Sequence, residues 1–127
     1  MADLLADALN KIKGYESLGR QECDVASTKL MKNIAMTLKK NEYIADFEEV
    51  QNGKFKELHI KLANRINDIG VVKPRHAVKL DEFQKYETRY IPSRDFGLLI
   101  VSTPQGVMSN REAKEKRTGG RLLAYVY

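Results

Sequence analysis

The chain has 127 residues and a net charge of +5 at pH 7, with 43% hydrophobic and 31% charged residues. This length allows one compact domain or two very small ones, and the composition excludes wholesale disorder. The apolar run at residues 98–101 is far shorter than the roughly 18 residues that cross a membrane, and no signal-peptide pattern opens the chain. We therefore expect a folded cytosolic protein that does not contact a membrane.

The first half of the chain predicts an α-β-α-β-β order, because helical spacing of apolar residues alternates with short β-patterns. Ser27 and Thr28 are good N-cap residues for the second helix. Asn52-Gly53 favours a tight hairpin turn between the last two strands. The predicted elements are a helix at 3–13 that ends at Gly14, a strand at 22–25, a helix that follows Thr28 and ends near Asn41, and strands at 47–51 and 55–62.

The second half predicts a mostly antiparallel β domain with one short helix. Residues 102–108 are interpreted as a loop between a buried strand and that helix. The predicted elements are strands at 71–72, 76–80, 98–101 and 122–126, a helical turn at 81–86, and a helix that starts at the capping box of Ser109 and Glu112 and ends at Gly119-Gly120. The expected fold class is therefore α/β, of the α+β kind, with two small domains.

The excess of positive charge is confined to the second half. Residues 1–63 hold ten basic and ten acidic side chains, and residues 64–127 hold twelve and seven. The hydrophobic periodicity weakens at the same point, so we expect an N-terminal domain at 1–63 and a basic C-terminal domain at 64–127. Such a basic domain favours a polyanionic partner, with nucleic acid the commonest in the cytosol. The alternative is a solvated basic surface that binds nothing.

The sequence predicts no catalytic residue, metal, cofactor or small-molecule substrate. Cys23 has no histidine near it in the sequence that could act as its base. One cysteine and two histidines are too few and too widely spaced for a zinc site. The acidic group of Asp46, Glu48 and Glu49 is interpreted as a solvated edge that faces away from a polyanion.

Residues 102–108 combine two adjacent hydroxyls, an amide and a glycine, and a cationic helix follows them. Short neutral donors and acceptors suit sugar hydroxyls and base edges, whereas long cations suit phosphates. The pattern therefore predicts RNA binding, and the alternative is a turn in which these residues serve geometry alone. The cations of the following helix are Arg111, Lys114, Lys116 and Arg117.

These residues also resemble a known family. Residues 97–108, together with Ala113-Lys114, resemble the signature of the eighth small-subunit ribosomal protein family. The resemblance continues through residues 119–127 and 3–9 and through Ser27-Thr28-Lys29-Leu30, and residues 90–97 resemble the archaeal and eukaryotic branch. It covers essentially the whole chain.

The resemblance implies a structural protein of the small ribosomal subunit that is not an enzyme. Such a protein binds the central domain of small-subunit, 16S-type rRNA, helps to assemble the platform, contacts neighbouring small-subunit proteins and is a monomer when free. A translational regulator that binds its own message is a compatible second role. The rivals are a small cysteine or carboxylate enzyme and a protein-interaction adaptor.

The resemblance also implies which residues contact RNA. Ser102, Thr103 and Gly106 are expected in the minor groove of an irregular rRNA helix, and Tyr86 is expected to offer its ring to a base or sugar.

This chain departs from the bacterial pattern at two positions. Pro104 stands where bacterial members carry serine, and Arg121 stands where they carry glutamate, so a phosphate or neighbouring-protein contact is expected from Arg121. The full set of expected RNA-binding residues is Asp3, Lys11, Lys13, Ser27, Thr28, Lys29, Arg75, Tyr86, Ser102, Thr103, Gln105, Gly106, Arg111, Lys114, Lys116, Arg117, Gly119, Gly120 and Arg121.

Overall fold

The structure is a computed structural model that describes residues 4–73, 75–92 and 96–127, apart from the side chain of residue 52. The chain divides into two compact units, Met1–Ile69 and Gly70–Tyr127, which are called unit 1 and unit 2 below. Among the described residues, no helix is long and apolar enough to span a membrane.

Unit 1 has the predicted α-β-α-β-β order. Its three strands form an antiparallel sheet in the order β1-β3-β2, with α1 packed against β1 and α2 against β2. Buried side chains from both helices and the sheet, among them Leu9, Ile34 and Ile60, form the core. The elements are α1 (Leu4–Ser17), β1 (Glu22–Ala26), α2 (Lys29–Lys40), β2 (Ile44–Asn52) and β3 (Phe55–Leu62).

Two details of unit 1 differ from the sequence prediction. Helix α1 does not end at Gly14 but continues to Ser17, whose hydroxyl donates a 2.8 Å hydrogen bond to the Gly14 carbonyl. The β2–β3 turn is shifted by one residue, because Asn52 pairs with Phe55 and leaves Gly53 and Lys54 as the loop. Gly53 has a φ of 64°, which suits the first loop position of the type I′ and II′ turns that are commonest in two-residue hairpins. The Thr28 cap is confirmed, because its hydroxyl accepts a 3.0 Å bond from the Met31 amide.

Unit 2 is mostly β, with antiparallel pairing of β5 with β8 and of β6 with both β7 and β8. Its sheet has the order β4-β8-β6-β7, and Phe83, Leu99, Val101 and Leu122 belong to its core. The elements are β4 (Ile69–Val71), β5 (Ala77–Val78), a 3-10 turn (Leu80–Glu82), α3 (Phe83–Tyr90), β6 (Leu98–Thr103), β7 (Gly106–Ser109), α4 (Asn110–Glu115) and β8 (Gly120–Val126).

The prediction of a loop at residues 102–108 is wrong, because these residues form a β-hairpin. Thr103 pairs with Gly106, so the connection is the two-residue turn of Pro104 and Gln105. Gly106 closes the hairpin with a φ of 120°, a conformation that favours glycine. Turn-forming residue types suggested a longer loop, but two positions suffice for a hairpin turn.

Helix α4 begins as predicted and ends earlier. The Ser109 hydroxyl caps it by accepting a 3.2 Å bond from the Glu112 amide. The helix ends at Glu115 and not at Gly119-Gly120, because Arg117 takes the left-handed conformation after it, with a φ of 53°. Gly119 and Gly120 are therefore available to the sheet, and Gly120 begins β8.

The boundary between the units lies between residues 69 and 70, and the domain division at residue 63 stays a prediction. The C-terminal part has the same net charge with either boundary. Residues 70–127 contain eleven basic and six acidic side chains, so unit 2 carries the whole net charge of +5.

Candidate nucleic-acid interface

Several of the expected RNA-binding residues of unit 2 lie around one open cavity of about 500 Å³. This cavity, called the hairpin groove below, lies beside the β6–β7 hairpin and the start of β8. Its lining residues are Ala77, Val78, Lys79, Glu82, Ser102, Pro104, Gly120 and Arg121.

The two neighbouring hydroxyls of the signature are in different situations. The Thr103 hydroxyl donates a 2.8 Å bond to the Gly106 carbonyl and accepts a 3.1 Å bond from the Gln105 amide. The side chain is 9% exposed. The half-buried Ser102 lines the hairpin groove, and its hydroxyl makes no hydrogen bond to the part of the chain that the structure describes. Ser102 thus retains its full hydrogen-bonding capacity, whereas the Thr103 donor is used to hold the turn.

The paired glycines allow β8 to approach its neighbours closely. A Cβ added to Gly119 would lie 2.3 Å from the Val78 carbonyl oxygen, and one added to Gly120 would lie 2.2 Å from the Ser102 carbonyl oxygen. Both distances are far below van der Waals contact and both involve backbone, which cannot move aside cheaply. These glycines therefore fix the position of Ser102 relative to β8.

Tyr86 does not offer an open ring face in this structure. It is 8% exposed within the core of unit 2, and the His76 ring lies against it with a centroid distance of 5.2 Å. The Lys85 amine lies 5.6 Å from the Tyr86 ring centroid. These neighbours cover much of the ring, and the expected contact of Tyr86 with a base or sugar stays a prediction.

The cations of the α4 region are not equivalent. The Lys114 amine lies 2.5 Å from the carboxylate of Glu87, which is 2% exposed, so Lys114 neutralises a buried charge. Lys116 makes a looser pair with Glu112 at 3.7 Å. Arg111 and Arg117 are exposed. Lys114 is therefore first a structural residue, and its expected phosphate contact stays a prediction.

A second group of cations borders the hairpin groove. Arg121 and Lys79 line it, and Nη1 of Arg121 donates a 3.4 Å bond to the Arg75 carbonyl. Sequence reasoning included Arg75 and Arg121 but missed Lys79. Residues 73–79 contain three cations and no carboxylate, and this charge pattern could have revealed it.

In unit 1, Lys11, Ser27 and Thr28 line a common open cavity of about 970 Å³, called the unit 1 cavity below. Lys13 does not line this cavity, and its amine forms a 2.8 Å ion pair with Asp68. Lys29 is exposed at the first position of α2. Asp3 lies outside the described residues.

Ser27 brings two predictions into conflict. Its hydroxyl donates a 2.6 Å hydrogen bond to Glu49, which also pairs with Lys32 at 2.6 Å. These contacts lower the pKa of Glu49, the bond with Lys32 more than the bond with Ser27, so the carboxylate is charged at neutral pH. Glu49 was expected to face away from RNA and Ser27 to touch it, and both expectations stay predictions, although the Ser27 donor is already used by Glu49.

Cys23 has no catalytic environment. It is 2% exposed, and burial raises the pKa of its thiol to about 11. The thiolate that nucleophilic catalysis needs is therefore almost absent at neutral pH. Within residues 4–73, 75–92 and 96–127, no three His, Cys, Asp or Glu side chains are grouped so that they could hold a metal ion.

A sequence profile for the family described as ribosomal protein S8 matches residues 3–127. The chain belongs to this family. Three archaeal relatives, each named "Small ribosomal subunit protein uS8", support the assignment. The protein of Caldivirga maquilingensis is 45% identical over 128 residues, and that of Methanococcoides burtonii is 41% identical over 128; both alignments cover 100% of this chain and 98% of the relative. The protein of Archaeoglobus fulgidus is 43% identical over 126 residues, with 98% of each chain covered.

The family expected from residues 97–108 is thereby confirmed, and its archaeal character agrees with the expectation from residues 90–97. The S8 match spans both units.

Proposed function

We propose that this protein is a structural component of the small ribosomal subunit and that it holds rRNA mainly through unit 2. Membership of the ribosomal protein S8 family over residues 3–127 carries this conclusion. The family consists of ribosomal structural proteins and not of enzymes, and its members work in the cytoplasm. Association with rRNA and with other ribosomal proteins follows from that role.

The hairpin groove supports a specific division of labour. The Ser102 hydroxyl, which has no bond among the described residues, is free to bond a ribose hydroxyl or a base edge. Arg121, Lys79 and Arg75 lie within reach of the same space and suit phosphates. Because neutral hydroxyls release no counterions, Ser102 supplies specificity, and the cations supply the salt-dependent part of the affinity.

The finer assignments are part of the same proposal. The RNA element is an irregular helix of the central domain of small-subunit rRNA, read from its minor groove, which in RNA is wide and shallow enough for a β-hairpin. The bound protein helps to assemble the platform beside its neighbours, and the free protein is a monomer. Sedimentation equilibrium of the free chain tests the last point, with a mass of 14.5 kDa expected.

Titration of small-subunit rRNA against an equal mass of unrelated structured RNA tests the function. The triple variant Arg75→Gln, Lys79→Gln and Arg121→Gln should flatten the slope of log affinity against log salt by up to about 0.7–0.9 for each phosphate that is no longer neutralised. The matched control changes Lys39, Lys40 and Lys61 of unit 1 to glutamine and should leave the slope unchanged. Equal affinity for the two RNAs contradicts the function, and a flattened slope in the control alone contradicts the choice of unit.

A further inference from the structure

The tip of the β2–β3 hairpin exposes an aromatic side chain that no folding argument explains. Phe55 is 75% exposed, more than any other large hydrophobic side chain among the described residues. It pairs with Asn52 across the turn, so its backbone is fixed while its ring remains in water. A single exposed apolar side chain is common on a protein surface, so the meaning of this ring depends on the residues around it.

The hairpin tip is also basic. Residues 51–56 contain Lys54 and Lys56 and no carboxylate. Lys54 forms no ion pair with any residue that the structure describes. Lys56 lies 3.8 Å from Glu49, and both side chains are solvated enough for this pair to contribute little. Both amines are thus available to an anionic ligand.

The three residues of the hairpin tip border one cavity. Lys54, Phe55 and Lys56 all line the unit 1 cavity, as does Lys11. The wall also carries three carboxylates, Asp7, Asp24 and Glu57, of which Asp24 is held by a 2.6 Å contact to His59 on the adjacent strand. A ligand in this cavity would therefore meet residues of the hairpin tip that carry an aromatic ring and cations.

We propose that an unpaired RNA base stacks on Phe55 while Lys54 and Lys56 hold phosphates on either side of it. An aromatic ring flanked by cations is the combination that single-stranded segments of RNA favour, because every base has a π face and every nucleotide a phosphate. A purely apolar protein segment would leave the two ammonium groups without anionic partners. The proposal rests on the proposed rRNA-binding function and adds a second contact, in unit 1, to the hairpin groove of unit 2.

The composition of the chain permits a direct spectroscopic test. The protein contains no tryptophan, so the Phe55→Trp variant carries a single indole at the proposed stacking position. Small-subunit rRNA should quench the emission of this indole at the stoichiometry of binding. A control variant, Leu18→Trp, places the indole at a residue that is 72% exposed and follows the end of α1, about 10 Å along the helix axis from Lys11, the nearest cavity residue of that helix. Its emission should change little.

Affinity measurements complete the test. Phe55→Ala and Phe55→Leu should each weaken rRNA binding by about 5- to 100-fold, since neither retains a π face, whereas Phe55→Trp should bind as the wild type does. Lys54→Gln with Lys56→Gln should flatten the salt slope by about 1.4, the value for two phosphates of a single strand. All these residues are on the surface, so the variants should fold.

Each other outcome overturns the proposal in a recognisable way. If rRNA binds without quenching the Phe55→Trp emission, and binds Phe55→Ala as tightly as the wild type, the stacking contact is refuted while the rRNA-binding function stands. If the wild type shows no preference for small-subunit rRNA, both fail together. Equal quenching of the Leu18→Trp control refutes a specific stack. If the emission of the Phe55→Trp indole shifts to the blue only when other small-subunit proteins are present, a protein partner covers residue 55 instead. Full rRNA affinity of the Phe55→Leu variant would lead to the same conclusion.

Discussion

Replacing Lys114 by methionine removes the cation that touches the buried carboxylate of Glu87. Oε1 of Glu87 lies 2.5 Å from the Lys114 amine, and Oε2 accepts a 2.7 Å bond from Nδ2 of Asn110. The Asn110 side chain is itself fixed by a 3.2 Å bond from the Leu99 amide. This network joins α3, α4 and β6, so a change at Lys114 should be felt as a loss of folding stability.

The magnitude follows from the burial of the two partners. Breaking a fully buried pair costs about 3–5 kcal/mol, because the remaining charge is left without compensation. Here the Glu87 side chain is 3% exposed but the Lys114 side chain is 37% exposed. Water therefore compensates in part, and the Asn110 bond remains. We expect Lys114→Met to lower the free energy of unfolding by about 2–3 kcal/mol, or the melting temperature by roughly 6–15 °C.

Urea unfolding of three variants checks this reasoning. The matched control, Lys116→Met, removes an amine that lies 3.7 Å from Glu112 on the surface, and it should cost less than about 0.5 kcal/mol. Glu87→Gln should restore part of the stability lost in Lys114→Met, since a neutral amide needs no cation. An unchanged urea midpoint in Lys114→Met, together with a flatter salt dependence of rRNA binding, would refute the structural role and favour a phosphate contact.

Three further predictions concern Ser102 and Thr103, Arg117, and His59. Ser102→Ala should weaken rRNA binding by about 2- to 12-fold without a change in melting temperature, whereas Thr103→Val should lower the free energy of unfolding by about 1–2 kcal/mol; equal thermal shifts in the two variants contradict this. Arg117→Gly should raise the stability by about 0.5–1 kcal/mol because its φ of 53° favours glycine, and should flatten the salt slope of rRNA binding by up to about 0.9; a fall in melting temperature contradicts the strain argument. Hydrogen bonds to Asp24 and, less, to Glu22 raise the pKa of His59, so its protonated form stabilises the fold below the ordinary pKa of about 6.5 and this contribution is lost as the pH rises through the raised value. The urea midpoint of His59→Gln should therefore fall short of the wild type near about pH 5 and match it near about pH 9, and a difference independent of pH would be inconsistent with this account.

The element order of unit 1 could be predicted because its patterns are local. Thr28 caps α2 through its own hydroxyl, and the apolar spacing of α2 needs no distant partner to be recognised. The end of α1 was misjudged because Gly14, which is open on all sides, is tolerated inside the helix. The hairpin at residues 102–109 was missed because its turn-forming residue types indicated a longer loop, whereas only Pro104 and Gln105 lie between the paired Thr103 and Gly106.

The candidate site, too, could be predicted only in part from the sequence. A resemblance along the sequence identifies positions, but it does not show which hydrogen bonds are already used. Ser102 and Thr103 are adjacent and chemically alike, and their different availability depends on the turn that Thr103 holds. Lys114 and Lys116 are two residues apart in the α4 region, and their different roles depend on Glu87, 27 residues from Lys114 in the chain. Local sequence patterns do not reveal such long-range contacts.

The paired glycines restrict the geometry of the hairpin groove through close backbone contacts. A methyl group at Gly120 would collide with the Ser102 carbonyl oxygen, and one at Gly119 with the Val78 carbonyl oxygen. Either collision would separate β8 from the strands that it joins at the hairpin groove. Since Ser102 pairs with Arg121 across β6 and β8, the separation of these strands affects the distance between the two side chains. The glycines are thus positioning residues, and their small size is a condition for the geometry of the neighbouring polar groups.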